Sequence, residues 1–571
     1  MILDLSDKSI MREDVYNLLK QISLTKKDQF NSIIDNYSNV NKNKVDWWVQ
    51  RPASRNTHQS FLFYKFCCIH LIDELIRSGE KIEKIICDSP ALTNAVQTLI
   101  VDKKINTKVI GPRCEGNKIL FYIRKSIILM LKTWQKKKIY FGLVKSTKKG
   151  SLNIKKEIIL IDKFIIPGFV SKEYYYNGLF RYLNKEQKEK IYFVPTFAYM
   201  DNDAIKLALK ELRTSSAKYL FKEDFLTNSD LLYGMLHLFR VWFIKTPYQK
   251  VLNIDFSPFV REELLSHSNF DSALEGLLNF RFAKKLKEKK LKIPLIIDWW
   301  EGQPVDKGWI LGFKTFFPES ITKGYMGYPP LESELQLYPT SCELENNVSH
   351  DVLCVIGKKF YDELSDMNLS LNIEKTPGFR FGHLWDYEKA MINSTESFKV
   401  LIALSSNEDE SLIAMEKIIK ASIARNRGCE FFIKNHPLLR SPNKGNLYNN
   451  EKWPKSFFEV KGLFSEFIDK IDLLISSGVS SVGLEALAIG IPVIIIETLS
   501  GLPHQPIPKS IPKELWGFCK TSDEINKSFS LFHNRTKKEI QNQIQSGDTI
   551  KNNYFEPITR KGIYKFLELK N

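Results

Sequence analysis

The chain has 571 residues, 43% of them hydrophobic and 12% aromatic, with a formal net charge of +17. That length exceeds what one hydrophobic core serves and points to two large domains; that composition excludes a disordered chain. A basic balance suits nucleic acid, an anionic membrane surface or acidic small substrates, and a Lys-, Asn- and Ile-rich composition bias explains it equally well.

The N-terminus, MILDLSDKSIMREDVYNLL, has no basic segment leading into a long apolar one, so no signal peptide is expected. No apolar run reaches the length of a membrane span. The stretch 47–60, WWVQRPASRNTHQS, carries Arg51, Arg55 and His58 beside aromatics in an expected loop, and these are candidate acceptor-binding residues against the plainer reading of a surface loop. Cys67, Cys68 and His70 fall in an apolar helical stretch. The eight cysteines contain no C-x-x-C pair, so the spacing predicts buried thiols in a reducing cytoplasm and no structural metal.

Short β-branched runs at 84–87 and 107–111 predict buried strands. Residues 121–143, FYIRKSIILMLKTWQKKKIYFGL, place Ile123, Ile127, Met130, Leu131 and Trp134 at helical spacing among lysines and an arginine. Such a helix either lies on an anionic membrane face or docks on the core. Runs at 157–162, 191–196 and 293–298 continue the strand pattern, and 200–290 reads as a mostly helical insertion. The third of these runs ends in Asp298-Trp299-Trp300-Glu301-Gly302. Two acids three residues apart at a strand end, beside two indoles, are candidate catalytic carboxylates: one removes a hydroxyl proton or attacks an anomeric carbon. The alternative is that Asp298 caps a helix while the tryptophans pack.

The Pro-, Ser-, Asn- and Glu-rich stretch 328–350 reads as an interdomain linker. The expected division is therefore an N-terminal α/β domain over 1–340, with the helical insertion at about 200–290, and a C-terminal one over 341–571. Strand runs follow at 351–357, 399–405, 430–434, 471–476 and 491–497, and strand–helix alternation of this kind defines α/β with parallel sheets. Ligands bind such sheets at the carboxyl ends of strands. Three loops there carry chemistry. Ser405, Ser406 and Asn407 either cap the next helix or receive an anion at its N-terminus. His436 is followed by Pro437, which restricts the residue before it and fixes the imidazole off the strand end. Ser480 and Ser481 open a helix that carries Glu485 one turn in, with Gly478 and Gly483 allowing close backbone approach. His504, in GLPHQPIP after the last of these strands, is a further donor-site candidate.

The His-Pro pair at 436–437 with the Ser-Ser pair at 480–481 before GLEALAIGIPV resembles bacterial sialyltransferases, polysialyltransferases and capsule Kdo transferases of the GT-B class. The resemblance covers roughly residues 350–500, and the wider chain is similar to surface-carbohydrate-biosynthesis glycosyltransferases. It implies two Rossmann-like domains with a cleft between them, a CMP-linked sugar acid bound by the C-terminal domain through His436, Pro437, Ser480 and Ser481, and no metal or other cofactor. The implied acceptor is a lipid-linked or growing glycan, handled in the cytoplasm with peripheral contact with the inner membrane. The segment at Glu301 departs from the short acidic-Gly motif of sialyltransferases, which leaves retaining and inverting chemistry both open. Rival readings are a UDP-sugar or CDP-polyol donor and a non-catalytic glycan-assembly scaffold. Nucleic acid is not an expected partner, for no recognition motif accompanies the charge.

Overall fold

The computed structural model describes residues 1–6, 9–113, 118–148, 154–170, 172–368, 370–387, 397–426, 428–436, 454–478 and 480–570. In chain order the described strands are β1 (Ile2–Asp4), β2 (Lys84–Ile86), β3 (Lys108–Ile110), β4 (Glu157–Ile165), β5 (Ile191–Phe197), β6 (Lys218–Tyr219), β7 (Lys250–Val251), β8 (Ile254–Asp255), β9 (Lys292–Trp299), β10 (Ile321–Met326), β11 (Val352–Val355) and β12 (Ile373–Lys375). After them come β13 (Phe398–Ala403), β14 (Cys429–Lys434), β15 (Phe457–Val460), β16 (Leu473–Ser477), β17 (Val493–Ile496) and β18 (Trp516–Cys519).

Two large sheets organise the molecule, and every pairing among their described strands is parallel. One is seven-stranded in the order β12-β11-β10-β9-β4-β5-β6; the other is six-stranded in the order β15-β14-β13-β16-β17-β18. Their central strands are nearly uninterrupted apolar runs because helices cover both faces: β16 and β17 are buried at every position. Both sheets are wound by strand–helix alternation, so the α/β class with two Rossmann-like units is present as expected.

Strand membership differs from the sequence reading at two places. The run at 351–357, grouped with the C-terminal strands, supplies β11, which pairs with β10 through Tyr325↔Cys354, and β12 follows it. The change from one sheet to the other therefore lies between β12 and β13, not near residue 340. The runs at 84–87 and 107–111 form a separate three-stranded sheet with β1. The stretch 328–350 is not a solvated linker. Leu335, Leu337 and Val348 are buried in it, and Glu343 pairs with Arg55 and Lys307 beneath the surface. Its polar composition misleads because the charges are neutralised inside.

The helix Phe270–Glu288 belongs to the expected helical region and packs on Pro304–Phe316, the helix that follows β9. Beyond the six-stranded sheet the chain returns to the first unit: Phe566, in the helix Arg560–Phe566, stacks near Tyr325 of β10 and Phe379. All described cysteines are buried and unpaired. Among the described residues no helix is long and apolar enough to cross a membrane, and no cluster of His, Cys, Asp or Glu is placed to hold a metal.

Candidate functional site between the two sheets

β9 delivers Glu301 just past its carboxyl end. Trp299 and Trp300 are fully buried and fix the strand terminus, and Gly302 turns the chain with φ +64°. The Trp299 indole N–H donates to Glu301 Oε1 at 2.8 Å and the Gln303 amide donates to the other carboxylate oxygen. Asp306, in the first turn of the next helix, accepts from the backbone N–H groups of Glu301 and Gln303 at 3.1 and 2.9 Å. Burial raises the Glu301 carboxyl above its ordinary range despite the two donors and the nearby Arg380 charge. Asp298 is 1% exposed and lies beneath this surface, 3.2 Å from His350 Nε2. Burial, with the charges of Asp306, Asp162 and Glu301, pushes it well up. Asp162 of β4 is pushed up to about 7, by burial first and by Glu301 among its neighbours.

The second unit contributes the helix Val482–Ala488. Ser481 Oγ donates to Glu485 Oε1 at 3.1 Å, and Ser480 Oγ accepts from the Val482 N–H at 3.4 Å. Glu485 stands 3.4 Å from His383 Nε2. Burial works against its charge, but His383, Arg380 and Ser481 hold the carboxyl below the ordinary value. His436 is half-buried at the end of β14, and burial with the charges of Lys434 and Arg380 drives its imidazole down to about 4. Pro437 lies outside the described residues.

Arg380 joins the halves. It sits in the 3-10 turn Phe379–Leu384, donates to the Tyr174 hydroxyl at 2.6 Å, and places its guanidinium over the Tyr174 ring at 4.6 Å and 6.0 Å from the Trp299 ring. Burial lowers its pKa, but Tyr174, Glu485, Tyr175 and Glu301 outweigh that and raise it. The Arg380 charge is thus felt by carboxylates of both units. Arg380 and His383 were not picked out from the sequence; their signal is the pair of basic residues inside the otherwise aromatic and glycine-rich GFRFGHLW. A cavity of about 750 Å³ opens beside His383, lined among others by Lys163, Glu173, Tyr176 and Trp385.

A second cross-unit contact brings together two histidines that sequence reasoning assigned to different roles. His58 and His504 stack with ring centroids 5.2 Å apart. His58 Nε2 lies 2.8 Å from Glu334 and His504 Nδ1 lies 2.7 Å from Ser333 Oγ. Burial lowers His58 but Glu334 more than reverses it, whereas burial and the His58 charge bring His504 down to about 3.

Most of the remaining candidates have structural partners. Asn407 caps the helix Glu408–Lys420 by accepting from the N–H groups of Asp409 and Glu410, and Ser406 is exposed. Ser405 Oγ donates to Glu410 at 2.8 Å, and its N–H donates to Ser477 Oγ. Arg55 does not face the cleft as an acceptor-binding residue would. Arg55 is 2% exposed and donates to Asn31, Glu343 and the carbonyls of Leu335 and Tyr338. Arg51 donates to the Ser268 carbonyl. The Arg55 guanidinium serves packing because Val45–Trp48 and Arg51–Ser54 fold into two short helical turns that seat it inside.

No protein-family model matches the chain, and comparison with curated protein sequences gives no match. Among solved structures it is similar to the UDP-GlcNAc 2-epimerase from Neisseria meningitidis bound to UDP-GlcNAc, at 12% identity and TM-score 0.40, over 72% of this chain and 98% of that one. It is similar to the glycosyltransferase SnogD from Streptomyces nogalater at 9% identity and TM-score 0.38, over 72% and 99%. The trehalose 6-phosphate synthase from Burkholderia multivorans aligns at 8% identity and TM-score 0.40, over 72% and 97%. At these values the fold assignment rests on the strand order and pairing given above.

Proposed function

We propose that the protein is a GT-B glycosyltransferase that moves a sugar acid, a nonulosonic acid or Kdo, from a CMP donor to a surface-polysaccharide acceptor. The observation that carries this reading is the meeting of Glu301 and Arg380 at Trp299 and of Glu485 with His383, on segments that follow strands of two parallel sheets, with His436 at the end of β14. A CMP-linked sugar acid brings one phosphate and one carboxylate. Arg380 offers a planar, permanently charged fork suited to either, with Lys434 and His383 nearby. Ser480, Ser481 and His436 take the CMP moiety, and Glu485 exchanges its Ser481 and His383 contacts for ribose hydroxyls. Ser405, Asn407 and His504 border the donor, and His58 faces it from the acceptor side. Glu301 is the reacting carboxylate, with Asp298 and Asp162 beneath it and its ionisation opposed by burial and the Glu334 charge. The donor's charge is met by side chains, with no metal required, and the acceptor is a lipid-linked or growing glycan.

A thermal-shift titration with CMP, CDP and UDP tests this on wild type and His436→Ala. A ligand that binds only the folded state stabilises it by about 2.7 kcal/mol at a hundred times its Kd. The expected result is stabilisation by CMP that is lost in the variant. Glu301→Gln keeps the CMP response and loses transfer by at least about a hundredfold. A response to UDP or CDP alone assigns another donor, and no response to any of the three favours a scaffold.

A further inference from the structure

The helix Lys118–Ser146 spans 29 residues, about 43 Å at 1.5 Å per residue. Its inner side is firmly seated. Tyr122 donates to the Leu238 carbonyl at 3.1 Å and meets Trp242 edge-on, and Ser126 lies 2.9 Å from His267. Phe141 and Val144 are buried. Lys137 is turned inward to Glu275.

The outer side is not what a solvated helix presents. Leu120 is 65% exposed, Phe121 68%, and Leu131 55%, with Ile127 and Ile128 exposed between them. Positions 120, 127 and 131, with 121 and 128 alongside, stack on one face at helical spacing. Arg124 lies within that band between Leu120 and Ile127, Lys125, Lys132, Lys136 and Lys138 lie around it, and residues 118–146 contain no Asp or Glu. A contiguous exposed apolar face marks an interaction surface. An exposed apolar band whose own helix carries cations and no acids, lying along the protein surface, is the chemistry of an interfacial helix.

We infer that the outer face of residues 118–146 docks on an anionic lipid bilayer, with Leu120, Phe121, Ile127 and Leu131 entering the headgroup–acyl boundary and Arg124, Lys125, Lys132 and Lys136 meeting the headgroups. Charge argues for this occupant. A second copy would set one acid-free basic face against another, and a nucleic acid would leave the apolar band facing phosphate. The inference does not depend on the donor assigned above.

The test is co-sedimentation of the full chain with vesicles of phosphatidylcholine alone and with phosphatidylglycerol added. The wild type is expected to bind the anionic vesicles at low salt, to leave them as salt rises, and to ignore the neutral ones. Leu120→Glu with Leu131→Glu, and separately Lys132→Glu with Lys136→Glu, are each expected to lower binding at least about tenfold. Leu531→Glu, equally exposed on the helix Ser522–His533, leaves binding unchanged. The lysine pair decides the matter if the leucine pair lowers the melting temperature. Equal binding to both vesicle types, unchanged binding in both pairs, or a change in oligomeric state in place of a change in vesicle binding overturns it.

Discussion

Asp162 shows how the carboxylates under the cleft weigh on stability. Its carboxyl is pushed from 3.8 to about 7 mainly by burial, against the pull of Lys222. The folded protein therefore holds a proton that the unfolded chain releases above pH ~4, and stability contributed by this group declines as pH climbs towards 7. Asp162→Asn removes the titration. Its stability relative to wild type is expected to rise between about pH 5 and about pH 8 in urea denaturation; a pH-independent difference would show that Asp162 ionises normally. The same burial explains what the sequence disclosed of the site. Glu301, Ser481 and Glu485 were legible because strand ends and helix starts announce themselves in apolar and glycine patterns. Arg380 and His383 were not, since they sit on an irregular turn whose place is set by packing against Tyr174 and Trp299. Arg55 misled for the converse reason: a basic residue next to aromatics looks like part of a binding loop, yet Arg55 is consumed by buried acceptors.

Two helices of the first unit touch backbone to backbone. A Cβ on Gly308 of Pro304–Phe316 would stand 2.0 Å from the carbonyl oxygen of Gly276 in Phe270–Glu288. Gly308→Ala must drive these helices apart, and since Pro304–Phe316 begins just after Glu301, the shift reaches the cleft. A loss of about 1–3 kcal/mol is expected in urea denaturation. Gly142→Ala is the control, with nothing within 4 Å of the new methyl, and is expected to stabilise its helix by up to about 1 kcal/mol. Equal effects would contradict the close approach. At this scale the strands β4, β5, β9, β13, β16 and β17 were readable as apolar runs, because both faces are covered, and β14 was readable although its burial alternates. Their partnership was not, because a parallel strand's sequence records burial and not which neighbour it bonds. That is how β11 came to be grouped with the wrong sheet. The two-residue strand β6 is too short to leave a pattern.

The whole molecule is tied by a chain that leaves the first sheet after β12, builds the second, and comes back. The return is well packed. The Glu556 N–H donates to the Ile356 carbonyl, the Gly378 N–H to that of Glu556, and Lys323 Nζ to that of Lys565. Phe566 is fully buried against Tyr325 and Phe379. Phe566→Ala is expected to destabilise the first unit by about 3–5 kcal/mol. Hydrogen exchange locates the effect: amides of β10 lose protection while those of β16 keep theirs. The reverse pattern would place the helix Arg560–Phe566 with the second sheet.

That return has a consequence for how the chain acquires its structure during synthesis. Polypeptides emerge from the ribosome N-terminus first, and domains fold as units as they appear. Here every strand of the first sheet emerges before β13, yet the surface formed by Tyr325 and Phe379 waits for Phe566, made after the entire second sheet. The second unit can close while the first still exposes an aromatic patch. The nascent protein therefore passes through a stage in which its later half is finished and its earlier half is not, and that patch is where a chaperone or a stray neighbour would engage it.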